Sequence, residues 1–229
     1  MADAADLKAV TNGKEMTERR RRAKGVPLDL RGADLRGVDL SRMDLYGAQL
    51  CEVLLINSRM EAVNLEKADL TGAILTHASM EDVRLREAIL ADADLRHASI
   101  FSSNLIDACL SGANLAHASL AEVNMLRVNL EKANLEECKL LMASMRESSL
   151  KGVNLLNATL EDVDLSGAVL EDASLHGTML LNVQLPLLNA VEWAHVNNLE
   201  FARGLPHGLV ADAFVAALNQ FNNAPELKS

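Results

Sequence analysis

An apolar residue, almost always leucine, returns every fifth position along most of this chain. From Leu30 to Leu185 the register never breaks. Of the 32 positions so spaced, 27 are Leu, four are Met (Met60, Met80, Met125, Met145) and one is Ile100. Two residues before these centres the chain places Ala in 16 repeats and Val in nine. The residue between is Asp or Asn in 14 of the 32, as in Ala33-Asp34-Leu35 and Ala113-Asn114-Leu115. A period of five suits neither regular element. On an α-helix it advances about 500° per repeat, so the leucines walk around the axis by about 140° and form no stripe. On a continuous strand an odd period flips them from face to face. The pattern works if the chain bends once per repeat. A three-residue extended piece puts the small residue and the centre inward and the Asp or Asn outward, and two further residues turn the corner.

Glycine and proline agree with a bend. All eight glycines between residues 26 and 203 stand two positions after a centre: Gly32, Gly37, Gly47, Gly72, Gly112, Gly152, Gly167 and Gly177. That is where a turn with positive φ would want them. Pro27 precedes the first repeat and Pro186 follows the last, with none between. A backbone paired on both sides cannot give up an N–H.

Tandem Ala-(Asp/Asn)-Leu-X-X resembles the pentapeptide repeat family, over about residues 28–185. The resemblance implies an all-β solenoid, a right-handed quadrilateral β-helix with four pentapeptides per coil. Its 32 repeats then make eight coils, a tower about 38 Å tall at about 4.8 Å per rung. Family members often carry Phe at the centre. Here none does, so an all-aliphatic interior is expected.

Four segments follow. Residues 1–26 form a basic segment, with Lys8, Lys14, Arg19 to Arg22 and Lys24. It reads first as a cap on the open end of the solenoid, with a short helix within 14–24. A solvated arm and an anion-binding arm are the alternatives. Residues 27–186 are the tower, and 187–206 a degenerate coil whose register slips by one, placing Val191, Val196 and Phe201 in line and Ala194 and Leu199 inward. Residues 207–229 hold an amphipathic helix with Leu209, Val210, Phe214, Leu218 and Phe221 on one side, then a tail. So short a helix is marginal alone, so it either caps the tower or pairs two copies into a homodimer.

Catalytic chemistry is not legible. The chain has no nucleophile elbow, phosphate loop, Cys-x-x-Cys or His-Glu-x-x-His pattern, so no enzyme, cofactor or metal is expected. His77, His97 and His117 recur at 20-residue intervals. They read either as a metal site or pH sensor, or as an exposed ladder left by duplication. Aromatics are only 3% and the formal net charge is −10, which disfavours direct nucleic-acid binding. No stretch is apolar enough for a membrane span or secretion signal. Three cysteines cannot close as pairs, and Cys51 and Cys109 stand about three rungs apart, so a reduced, cytoplasmic location is expected. Cys138 falls on an inward position.

Two surface sets remain. Glu61, Glu81, Asp82, Glu122, Glu161 and Asp162 share one wall-to-corner column in a 20-residue coil. Phe101, Leu141 and Met142 are outward apolar groups in one corner column. The family resemblance implies a bacterial protein that imitates DNA in the saddle of a type II topoisomerase, DNA gyrase, using the acids. The apolar set points instead to a scaffold or effector-type module with an unrelated protein partner. A charged coat that only keeps the tower soluble is the plain alternative.

Overall fold

The computed structural model describes residues 2–14, 17, 18, 27–187, 196–198 and 202–205. Within the tower, backbone pairing repeats every 20 residues. Asp29 bridges Gln49, Gln49 bridges Asp69, and the column continues through Ile89, Cys109, Asn129 and Ser149 to Val169. Parallel columns start likewise from Asp34, Asp39 and Asp44, so four walls share each coil. The chain is a quadrilateral parallel β-solenoid, as the repeat anticipates. Between neighbouring coils, the N–H of a centre bonds to the next coil and the N–H before it to the previous one. Leu110 donates to the Asn129 carbonyl at 2.7 Å and Cys109 to that of Ala88 at 2.9 Å. Proline's absence from the repeats follows, because both donors are used.

Most corners are closed by a turn in which the centre carbonyl accepts the N–H three residues on, as from Ala33 to Leu30 at 3.0 Å. The residue two past the centre takes positive φ at every corner from Gly32 to Asn182. Together these are the marks of a type II turn. Glycine satisfies that demand freely, but most corners use other residues, with φ from 47° at Ser102 to 63° at Arg42. A β-carbon there costs about 1–2 kcal/mol. Bonds such as Met142 N–H to the Glu161 carbonyl, at 2.9 Å, tie the strained residue into the next coil.

The Asp and Asn before the centre do more than face water. All 14 accept the N–H two residues on through Oδ1. Such an Asx turn starts the corner. Asn114, Asn134 and Asn154 also join across coils. Asn154 Nδ2 donates to Asn134 Oδ1 at 2.9 Å, and Asn134 Nδ2 to Asn114 Oδ1 at 3.4 Å.

Inside, the centres and the residues two before them form one continuous aliphatic core from Leu28 to Leu180, with Cys138 buried as expected. The upper interior holds a leucine-lined void of about 10 Å³ between Leu140 and Leu185, at most the size of a single water. Among the described residues its lining is Leu and Met145 alone, and the polar inward residues Ser58, Ser103, Ser148 and Thr178 are buried outside it.

Helix α1 (Ala4–Thr11) closes the lower end. Asp3 caps it, accepting the N–H groups of Ala5 and Asp6. The buried Asp6 Oδ2 accepts the Asp29 N–H at 2.8 Å, and the Asp3 N–H donates to the Asp29 carbonyl at 2.9 Å. Asp29 has no lower coil to pair with, so α1 supplies both missing partners. Val10 joins the core above. This helix lies before the stretch in which one was expected. Lys14, Thr17 and Glu18 are also helical, and the rest of 14–24 largely lies outside the described residues.

At the upper end the expected one-residue slip is corrected. Asn197 pairs with Ser174 and Arg203 with Met179, offsets of 23 and 24 residues in place of 20. Val196 is inward, as expected. Three and four more residues than in a regular coil therefore separate Ser174 from Asn197 and Met179 from Arg203. Val191, Ala194, Leu199 and Phe201, and the whole segment 207–229 with Leu209, Val210, Phe214, Leu218 and Phe221, lie outside the described residues.

Candidate interaction surface

One wall differs from the other three. Above its first rung it forms three-residue strands: β1 (Arg59–Glu61), β2 (Ser79–Glu81), β3 (Ser99–Phe101), β4 (Ser119–Ala121), β5 (Lys139–Leu141), β6 (Thr159–Glu161) and β7 (Met179–Leu181). They make one parallel seven-stranded sheet in chain order. The other walls pair through single residues. The residues before the centre are mixed in kind. On this wall they are Asp39, then Arg59, Ser79, Ser99, Ser119, Lys139, Thr159 and Met179. Asp39, the only Asp or Asn among them, accepts the Ser41 N–H and its rung turns. Above it the residue after the centre stays extended and pairs along the column, whereas rungs on other walls that also lack an Asx acceptor, such as those at Gln49, Leu54, Ile89 and Cys109, still turn.

That column reads Glu61, Glu81, Phe101, Ala121, Leu141, Glu161, Leu181 in strict register. The corner beside it carries Asp82, Ser102, Glu122, Met142, Asp162 and Asn182. The acidic and apolar sets, read from the sequence as rival surfaces, are thus interleaved on one surface. Phe101 is 39% exposed, Leu181 42% and Met142 57%, while Leu141 is half-buried. Leu181 was missed by sequence reasoning, as were Ile89 and Val169, exposed on another wall. Sorting the residues after each centre by 20 would have found Leu181.

Electrostatics divides the six acids. Glu61 is neutralised: Arg59 Nη2 lies 2.7 Å and Arg42 Nη2 3.3 Å from its carboxylate. The hydrogen bond from Arg59, then that from Arg42, holds its carboxyl below the ordinary range. Many acids elsewhere are paired in the same way, including Asp29 with Arg31, Asp34 with Arg36, Asp94 with Arg96 and Asp107 with Arg127. Glu81, Asp82, Glu122, Glu161 and Asp162 form no ion pair among the described residues. Two have neutral donors, Ser102 to Glu122 at 3.2 Å and Asn182 to Asp162. Five acids without an ion pair among the described residues thus share the flat wall and its corner, and others such as Glu52, Asp92, Glu136 and Asp172 stand on the remaining faces.

The histidines stack as a ladder on the corner at the other edge of this wall. Their ring centroids lie 4.8 and 4.9 Å apart, with planes within 4°. His117 Nδ1 meets Glu137 Oε2 at 3.2 Å. Parallel rings in a row direct their nitrogens alongside one another. Among the described residues no group of three or more His, Cys, Asp or Glu side chains is arranged to hold a metal ion.

Comparison with known proteins accords with this geometry. The model of the family "Pentapeptide repeats" matches in eight copies that together span residues 28–185. A search of curated proteins finds no match. Among solved structures, one trypsin-treated variant of QnrB1, a plasmid-mediated fluoroquinolone resistance protein, has a TM-score of 0.67 at 16% identity, covering 82% of this chain and 91% of that one. A second such variant has a TM-score of 0.60 at 16% identity, covering 84% and 91%. HetL, a pentapeptide repeat protein involved in heterocyst differentiation regulation from the cyanobacterium Nostoc, is 25% identical over 74% of this chain and 90% of that one. Its TM-score is 0.29.

Proposed function

Because the chain belongs to the pentapeptide repeat family, we propose that it is a non-catalytic protein-interaction module that works through the β1–β7 wall, with DNA gyrase, a type II topoisomerase, as its partner. The observation that carries this reading is a set of five carboxylates without an ion pair among the described residues, Glu81 and Glu161 on a flat, regular sheet and Asp82, Glu122 and Asp162 on the corner beside it. Fold likeness to QnrB1, whose description is fluoroquinolone resistance, supports the choice of partner.

Charge density supports it on two rungs more than on the tower as a whole. Residues 27–187 carry 24 acids and 13 bases, a net of −11. Over about 38 Å that is one charge per about 3.5 Å, against about 1.7 Å for B-DNA. Glu81 with Asp82, and Glu161 with Asp162, each place two charges on one rung, about 2.4 Å per charge. A surface of this kind would steer toward a basic saddle and bind in a salt-dependent way. The reading carries a cytoplasmic location, where the topoisomerase acts. Among the described residues no helix is long and apolar enough to cross a membrane.

The test is gyrase supercoiling with the purified protein titrated in, with and without a quinolone. Inhibition or protection at micromolar concentration or below is expected, weakened by raised salt and by a Glu81→Lys/Asp82→Lys variant. No effect on gyrase from the same host refutes the partner. The exposed Phe101, Met142 and Leu181, with the half-buried Leu141, favour a second reading, a scaffold with a different protein partner. It expects little salt dependence and loss of binding on Phe101→Asp.

A further inference from the structure

We infer that the β1–β7 wall is shaped to receive a basic amphipathic α-helix lying along the tower axis. This rests on the interaction-module reading and names the partner's chemistry. The column after the centres places its large apolar groups on every second rung: Phe101, Leu141 and Leu181. Two rungs span about 9.6 Å. On an α-helix, residues seven apart lie about 10.5 Å apart on nearly the same side. Over both intervals the mismatch is about 2 Å, which side chains as long as Leu and Phe absorb. A strand laid the same way repeats its facing side chains every ~6.8 Å and falls out of step at once.

The rungs between carry the complement. Glu81 and Asp82 lie one rung before Phe101, Glu122 on the rung between Phe101 and Leu141, and Glu161 and Asp162 between Leu141 and Leu181. One rung of about 4.8 Å matches the three- to four-residue step of a helix. A helix with apolar residues at i, i+7 and i+14, and Lys or Arg at the intervening i+3, i+4, i+10 and i+11, meets an apolar group or an acid at each rung. Met142, exposed at the corner, widens the central apolar contact. These five acids have no basic partner among the described residues, so an arriving cation displaces no ion pair.

The probe is a labelled peptide with Leu at every seventh position, Lys at the third and fourth positions after each Leu, and Ala and Gln elsewhere. Its control is the same composition scrambled. Fluorescence anisotropy at physiological salt is expected to show at least ten-fold tighter binding of the patterned peptide. Leu141→Asp and Phe101→Asp should remove that margin, Leu141→Ala should reduce it, and Ile89→Asp on another wall should leave it intact. Equal binding of both peptides, or equal damage from Ile89→Asp, overturns the inference. Supercoiling assays on the same samples separate it from the partner assignment. A protein that acts on gyrase but does not discriminate the peptides loses the helix and keeps the partner. One that discriminates them but leaves gyrase untouched keeps the helix and loses the partner.

Discussion

Replacing Leu110 with Ala tests how rigidly the ladder holds the interior. Leu110 is fully buried at mid-tower. Removing three carbons loses about 2.4 kcal/mol of transfer free energy at about 0.8 per methylene. A cavity term adds to this, and its size depends on whether neighbours can collapse inward. Here they cannot move far. The rung is pinned by Leu110 N–H to the Asn129 carbonyl at 2.7 Å and Leu90 N–H to the Cys109 carbonyl at 2.7 Å. Leu90 and Leu130 are thus kept a full rung away, and the total loss should reach about 4 kcal/mol, in the upper half of the Leu→Ala range. Leu110→Met is the control. Met already occupies four centres, and a volume-conserving exchange costs less than about 1.5 kcal/mol. Urea unfolding followed by circular dichroism measures both, and the slope of the transition shows whether the tower still unfolds as one unit. Equal midpoints for the Ala and Met variants would refute the claim that rung bonds prevent collapse.

Three further outcomes are expected. Asn134→Ala removes the acceptor for Glu136 N–H and Asn154 Nδ2 and should cost about 1–2 kcal/mol in the same assay, while Asn134→Asp, which keeps the acceptor, should cost less. A silent Ala variant would show that the Asx turn follows the corner and does not hold it. Arg31 and Arg36 each bond a carboxylate through two nitrogens, pulling Asp29 and Asp34 down to about 2. Folded-state values below the ordinary carboxylate of about 3.9 stabilise fully above that pH and are lost as pH falls toward 2. The melting-temperature gap between the protein and its Asp29→Asn/Asp34→Asn variant should therefore close between pH 4 and 2, and a gap independent of pH would sink the assignment. Burial pushes the Cys138 thiol up to about 12, so at pH 8 a thiol reagent should modify Cys51 and Cys109 in the native protein and reach Cys138 only after unfolding. Three thiols reacting together under native conditions would place Cys138 outside the core.

Much of the surface was legible only in pieces. The glycine corners pointed correctly to positive φ, yet residues such as Glu87, Lys132 and Met142 hold the same conformation. Nothing in their identity announces it, because the ladder imposes it. The candidate acids and apolar groups were found, but as separate sets. Their fusion depends on Glu81, Phe101, Ala121, Leu141 and Glu161 stacking in one column. The neutralisation of Glu61 needed the reach of Arg42 from the preceding coil and of Arg59 on the same strand. That one wall opens into strands was not legible from its lack of Asp and Asn above Asp39, because the rungs at Gln49, Leu54, Ile89 and Cys109 lack them too and still turn.

By itself the sequence determined the rung, inward Leu and Ala and a bend every five residues, while stacking at 20 is what the family resemblance implies. Each repeat carries its own burial pattern and turn chemistry, so local rules suffice. What only the tertiary structure decided was which rungs meet and what they then share. One wall opens into strands while three turn. Helix α1 replaces the coil missing beneath Asp29. Asn197 and Arg203 pair at offsets of 23 and 24 residues in place of 20. These outcomes depend on pairing between residues about 20 or more apart, where the free energy lies in cross-coil hydrogen bonds and charge contacts that no single repeat contains.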